Sequence, residues 1–213
     1  MAQRIRGGFA LSWPVTLADG PVALRPLRGR DGRTWKAIRL RNQDWLQEWE
    51  ATLPPEGRQP GEIPANFRAM VRRMGREARQ GRALPWAISY DGQLVGQLTV
   101  GGITLGSLRA CYIGYWIDQD YAGRGITPTA VALACDYCTS ELGLHRVEIN
   151  IRPENTASRR VVEKLGLRQE GLRPQYLHID GQWRDHITYS VTQGDYPAGV
   201  LEQWRRNQIP SQN

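Results

Sequence analysis

Scarcities in these 213 residues narrow the field first. Cysteine occurs only three times, at Cys111, Cys135 and Cys138, an odd number set in apolar stretches, which excludes a disulfide scaffold. Cys135 and Cys138 match C-x-x-C but fall mid-helix rather than at a helix start, so buried thiols in a reducing compartment fit better than a redox pair or a zinc site. No apolar run approaches the roughly 20 residues of a membrane-spanning helix. Residues 1–20 also lack the apolar core of a signal peptide. A cytoplasmic location is therefore expected, with no membrane partner. Lysine is almost missing: arginine supplies nearly all of the 28 basic residues, which exceed the 21 acidic ones to give +7. No dense basic block occurs, so the charge reads mainly as a solvated surface, with attraction to a polyanion such as ribosomal RNA or a nucleotide as the functional alternative. Repeats and low-complexity segments are absent, and the length suffices for one domain with a full core.

What is present is organised around residues 112–128. Cys111, Ile113, Tyr115 and Ile117 alternate with Tyr112, Gly114 and Trp116, so large side chains fall on both faces, as in a central strand. Residues 118–122 break the alternation. Gly123 and Gly125 then flank Arg124 and permit positive φ or close approach to a ligand. Thr127 suits an N-cap and Pro128 a first helical position. A helix starting there aims unpaired N–H groups back at the glycine turn, which makes a phosphate seat. The P-loop spacing with its Lys-Ser/Thr is missing, and Pro128 stands where a dinucleotide fingerprint needs its third glycine. Taken alone, a two-glycine turn is equally a plain loop.

The following segments add context. A helix over 127–142 carries Val131, Ala134, Cys135, Cys138 and Leu142 on one apolar face and closes at Gly143. A strand over 145–151 alternates Val147, Ile149 and Ile151 with Arg146, Glu148 and Asn150. Pro153-Glu154-Asn155 then opens a second helix over 156–165, ending at Gly166. Strand, glycine turn, helix, strand and an Asn-led helix in this order resemble the GNAT acetyltransferase superfamily. Residues 153–158 (Pro-Glu-Asn-Thr-Ala-Ser) and 163–166 (Glu-Lys-Leu-Gly) are similar to its RimJ/RimL-type ribosomal-protein N-acetyltransferases. The resemblance covers about residues 20–193.

The resemblance implies an α+β fold with a mixed, mostly antiparallel sheet flanked by helices and a splayed central strand pair. It implies acetyl-CoA as cosubstrate, with no metal. Its pyrophosphate would rest on the turn of Gly123, Arg124, Gly125, Ile126 and Thr127, and its pantetheine on the strand end at Tyr115, Trp116 and Ile117. Ala122 stands where the family often has Arg or Gln, and Thr127 where it often has a second Gly or Ala, which leaves the binding there to backbone N–H groups. Asn155 is an N-cap by position; the family adds a pantetheine contact. Arg159 and Arg160 are solvated helix charges or partners of the 3′-phosphate.

For catalysis the family's tyrosine, seven residues after the Asn, is replaced by Val162. Ser158, on the same helical face, is either a hydrogen-bond donor to the departing thiolate or a plain surface serine. The glutamate that RimL-like enzymes use in the next strand is absent from residues 175–179, where His178 or Tyr176 is the remaining candidate. An α-amine, pKa about 7.7–8, is roughly a tenth neutral at pH 7, whereas lysine near 10.4 is under a thousandth neutral, so a weak base suits α-amines. This agrees with the acceptor the resemblance implies, the N-terminal residue of a ribosomal protein. Small-molecule amine or antibiotic acetylation, and a degenerate module binding CoA or RNA, remain the alternatives.

The rest of the chain divides into an irregular arm over 1–20, a domain over 21–193 and a short helix with a tail over 194–213. Within the domain, a strand is expected at 22–27 and a helix capped by Asp31 after it. Trp45 and Trp49, four apart, read as core or as the wall of an acceptor groove. Residues 54–64, rich in Pro and Gly, form a loop and a candidate lid. An arginine-rich helix over 65–80, with Phe67, Met70, Val71 and Met74 as its apolar stripe, is a candidate RNA contact. Hairpins are expected at 84–99 and 168–191, around Asp91-Gly92 and Asp180-Gly181, with a glycine-containing segment at 101–106.

Overall fold

The computed structural model describes residues 13–54 and 66–208. Eight strands form one sheet: β1 Leu17–Asp19, β2 Val22–Pro26, β3 Leu84–Tyr90, β4 Gln93–Thr104, β5 Ala110–Ile117, β6 Arg146–Ile151, β7 Arg168–Ile179 and β8 Gln182–Thr192. Their spatial order is β1-β2-β3-β4-β5-β6-β8-β7. Every neighbouring pair is antiparallel except β5 and β6. The helices are α1 Gly32–Arg41, α2 Gln43–Gln47, α3 Phe67–Arg79, α4 Ile126–Asp136, α5 Thr156–Lys164 and α6 Val200–Gln208. This is the α+β arrangement expected, with both hairpins where their Asp-Gly turns predicted them.

Strand alternation sends side chains into two cores. Leu84, Trp86 and Ile88 of β3 join Leu98, Ile113, Val131 and Val162 under α4 and α5. Ala87 and Leu94 point the other way and meet Trp35, Ile38 and the Phe67, Val71 and Met74 stripe of α3. Trp86 is fully buried and donates its indole N–H to Val15 O at 3.0 Å, satisfying its polar atom. Burying both faces of β3 explains its near-continuous apolar sequence.

Several boundaries differ from the sequence expectation. Leu17–Asp19, assigned to the irregular arm, pair with Val22–Leu24 through a turn at Gly20; three residues are too few for alternation to show. α4 starts at Ile126 with Gly125 as N-cap, so Thr127 is no N-cap and Pro128 is the third helical residue. Proline is still tolerated there, because its missing N–H is one that a first turn leaves unpaired. Asp31 gives α1 no side-chain cap; its carboxylate accepts instead from Arg25 at 2.8 and 3.0 Å and from Arg28 N at 2.7 Å. β4 runs on to Thr104 through a bulge, taking in Gly101 and Gly102.

α4 is buried almost all round rather than on one face, because α6 covers the side away from the sheet. Trp204 of α6 donates to Thr129 Oγ1 at 2.9 Å, and Asp136 at the end of α4 accepts from Val200 N and Leu201 N at 2.7 and 3.1 Å. The C-terminal helix is therefore part of the core and not an appendage. Residues 1–12, 55–65 and 209–213, which include nearly all of the candidate lid, lie outside the described residues.

Candidate active site

β5 and β6 hold together only at their start. Ala110, Cys111 and Tyr112 pair with Arg146, Val147 and Glu148, and no pair follows. Beyond that point β5 stays with β4 through Ile117, while Ile149–Ile151 stay with β8. The gap is the splayed strand pair expected from the sequence. Asp118 N donates to Val95 O at 2.8 Å, which fixes the alternation of the β4–β5 ladder. Counting back, Tyr115 and Ile117 turn their N–H and C=O groups away from β4 and into the gap.

The gap opens into a cavity of about 1560 Å³, larger than the roughly 300–1,000 Å³ of most small-ligand sites. At one end lies the turn before α4. Gly123 and Gly125 both have φ of +79°, which an L side chain resists. Among the described residues, the N–H groups of Gly123, Arg124, Gly125, Ile126 and Thr127 have no protein acceptor. This turn is held from behind. Asp118, almost fully buried, accepts from Asn42 Nδ2 at 2.9 Å and from Arg41, while Asn42 Oδ1 accepts from Gln119 N at 2.9 Å. Burial pushes the Asp118 carboxyl up, but the Arg41 and Asn42 hydrogen bonds outweigh it and hold the pKa below the usual range. Arg124 folds back over the Tyr121 ring at 5.1 Å and donates to Asp120 O, leaving the turn to backbone groups.

In the middle of the cavity stand Tyr115, Asn155 and Ser158. Asn155 Oδ1 accepts from Ser158 N at 2.9 Å, so the N-cap is real, and its amide NH2 has no protein partner among the described residues. Ser158 Oγ donates to Tyr115 Oη at 2.9 Å, and Tyr115 donates onward to Ser158 O at 3.3 Å. Burial pushes the Tyr115 phenol well above its ordinary pKa, so it stays protonated. The sequence named both residues but not their contact, because strand and helix are 43 positions apart. Val162 is fully buried in the core. Arg160 lines the cavity, whereas Arg159 is engaged by Tyr189 and Glu163.

The other end is walled by α1, α2 and α3. Trp45 and Trp49 are partly buried and line this end, and Arg39 stacks on Trp35 and Trp116 at 5.7 and 5.4 Å. Glu50 is the one carboxylate among the described lining residues, and it forms an ion pair with Arg39. Sequence reasoning passed over Glu50; only its neighbourhood with Trp45 and Trp49 could have drawn notice. It is placed by strand-like contacts with β7, where Asp180 N donates to Glu50 O and Ala51 bridges Ile179. His178 belongs to that same seam. Its ring meets Thr52 Oγ1 at 2.8 Å and Trp183 edge-on, and it is not among the described residues that line the cavity. Tyr176 likewise packs on His186 and Arg173, outside the cavity.

The model of the acetyltransferase (GNAT) domain family matches residues 22–168. The chain belongs to the GNAT acetyltransferases. This GNAT chain is 28% identical over 187 residues to the [ribosomal protein uS5]-alanine N-acetyltransferase of Escherichia coli, covering 87% of its own length and 94% of the relative. Among solved structures it is similar to Mycobacterium smegmatis RimJ in complex with CoA-disulfide, at 38% identity and TM-score 0.84, covering 91% and 95% of the two chains. The ribosomal-protein-S5-alanine acetyltransferase of Vibrio fischeri matches at 25% identity and TM-score 0.74, over 85% and 98%. The protein is thus an acyltransferase enzyme of RimJ/RimL type. No described helix is long and apolar enough to cross a membrane.

Proposed function

We propose that this enzyme transfers acetyl directly from acetyl-CoA to the N-terminal α-amine of a protein, with a ribosomal protein as the substrate class and the cytoplasm as the place. The observation that carries this is the continuity of one cavity from the turn at Gly123–Thr127, past Tyr115 and Ser158, to the half that holds Glu50. Unpartnered N–H groups at a helix start suit a pyrophosphate. The gap beside Tyr115 offers N–H and C=O groups to an amide-bearing arm, and Asn155 adds its NH2.

Acetyl-CoA supplies an activated thioester. The N–H groups of Tyr115 and Ile117 stabilise negative charge on the carbonyl oxygen as the amine nitrogen bonds to the acyl carbon. As the C–S bond breaks, the Ser158 hydroxyl turns from Tyr115 to donate a hydrogen bond to the departing thiolate, which takes up through solvent the second proton lost by the acylated nitrogen. Glu50, held beside Arg39, accepts the proton that the α-ammonium sheds.

The lining of the cavity argues against a small polycationic acceptor. Arg39, Arg73, Arg76, Arg160 and Lys164 face one carboxylate, a field that repels polyamines and aminoglycosides. A ribosome-bound acceptor would also bring RNA near Arg68, Arg72 and Arg79, which make no ion pair among the described residues. Release of CoA thiol is the test. Free Ala- or Ser-first peptides are expected to turn over, and an α-blocked lysine peptide and aminoglycosides are not. Turnover of only the small amines would move the function, and binding without any transfer would make the protein a CoA-binding module.

A further inference from the structure

α3 presents a defined face to the cavity. Asn66, Ala69, Met70 and Arg73 fall at i, i+3, i+4 and i+7 and all line it, with Arg76 at the solvent edge of the same face. Among the described arginines, Arg25 is paired with Asp31, Arg41 with Asp118 and Arg146 with Glu170. Arg73 and Arg76 are cavity-lining arginines without such a pair. Both are exposed, and neither has an ion-pair or hydrogen-bond partner among the described residues. The single carboxylate on their side of the cavity, Glu50, is already matched by Arg39. Glu77 of the same helix, which feels both charges, is bound by Arg82, so two guanidiniums without a direct carboxylate contact line this half of the cavity.

We propose that Arg73 and Arg76 select acceptor proteins with acidic side chains in the first few residues behind the reacting amine. The inference rests on the acetylation of protein N-termini argued above. An amine that reaches the gap beside Tyr115 and Ser158 leaves its following residues in the half of the cavity under α3. An extended segment advances about 3.3 Å per residue, so successive side chains pass along the helix face that carries these arginines. Each guanidinium is a planar fork that matches a carboxylate. Arg73 lies within the cavity lining beside Met70, on the path that such an extended peptide would take.

The test uses the full chain and Ala-first peptides that differ only at their third and fourth residues, as Glu-Glu, Ser-Ser or Lys-Lys. The expected kcat/KM for Glu-Glu exceeds that for Lys-Lys roughly five- to tenfold at low salt, carried in KM and shrinking as salt is raised. R73E/R76E is expected to reverse the order, and R73Q/R76Q to flatten it. Thermal unfolding of both variants shows whether they fold. Equal kcat/KM for all three peptides with wild-type enzyme overturns the inference and leaves N-terminal acetylation standing. No transfer to any peptide overturns both. Loss of RNA retention in R73E/R76E with an unmoved peptide preference assigns the arginines to RNA and likewise overturns it.

Discussion

Asn42 and Asp118, 76 residues apart, meet at 2.9 Å and lock the end of α1 to the turn that follows β5. Asn42 spends both ends of its amide there, donating to Asp118 and to Ile38 O and accepting from Gln119 N. The acceptor wall and the glycine turn are thereby one rigid unit. Replacing Asn42 by Ala leaves a buried carboxylate with one fewer donor, and a loss of about 2–3 kcal/mol is expected in urea unfolding. The KM values for acetyl-CoA and for the peptide should rise together. A rise in only one would show that the two halves are not coupled through this contact.

The same carboxylate gives a pH signature. Its folded pKa is depressed below an unfolded value of about 3.9. Its stabilisation is therefore complete above that value and is lost as pH falls through the folded pKa. Unfolding free energy measured from pH 6 to pH 2.5 should fall less steeply in Asp118→Asn than in the wild type. Parallel curves for the two proteins would remove Asp118 from the account.

The glycine turn predicts a selective defect. Alanine at Gly125 must hold a left-handed conformation costing about 1–2 kcal/mol, with its Cβ 3.5 Å from the Trp204 ring. Calorimetric titration of Gly125→Ala with CoA should show binding weakened roughly tenfold, equal to about 1.4 kcal/mol. Peptide KM should stay put.

Ser158 and Tyr115 predict a graded pair of catalytic defects. Ser158→Ala is expected to lower kcat on the order of 10²-fold and Tyr115→Phe about tenfold, with CoA affinity little changed in both. Since Tyr115 acts through Ser158, adding Tyr115→Phe to Ser158→Ala should cost little more. His178→Ala should leave kcat intact. A kcat loss there matching that of Ser158→Ala would return the histidine to the site.

Much of this was written locally and could be read locally. The Asp91-Gly92 and Asp180-Gly181 turns marked both hairpins, and the glycine turn with its following helix marked the cavity end, because such features are set by neighbours in sequence. What escaped depended on distant contacts. Leu17–Asp19 are a strand only because β2 is beside them. Asp31 serves Arg25 rather than capping α1, a competition that helix-start rules do not contain. Glu50 reaches the cavity because β7 pins its backbone, and His178 leaves it because Thr52 claims its ring. The family pattern supplied the proposed role of Ser158; its tie to Tyr115 required the fold.

The position of α6 has a bearing on how the protein is made. Trp204 and Asp136 join the last helix to the two ends of α4, directly behind the glycine turn. On the ribosome, α4 emerges while residues 200–208 are still to be translated or are held in the exit tunnel. The glycine turn, the proposed seat of the cosubstrate, then lacks its backing until this helix has emerged. A prematurely terminated chain would carry every proposed site residue and still remain silent.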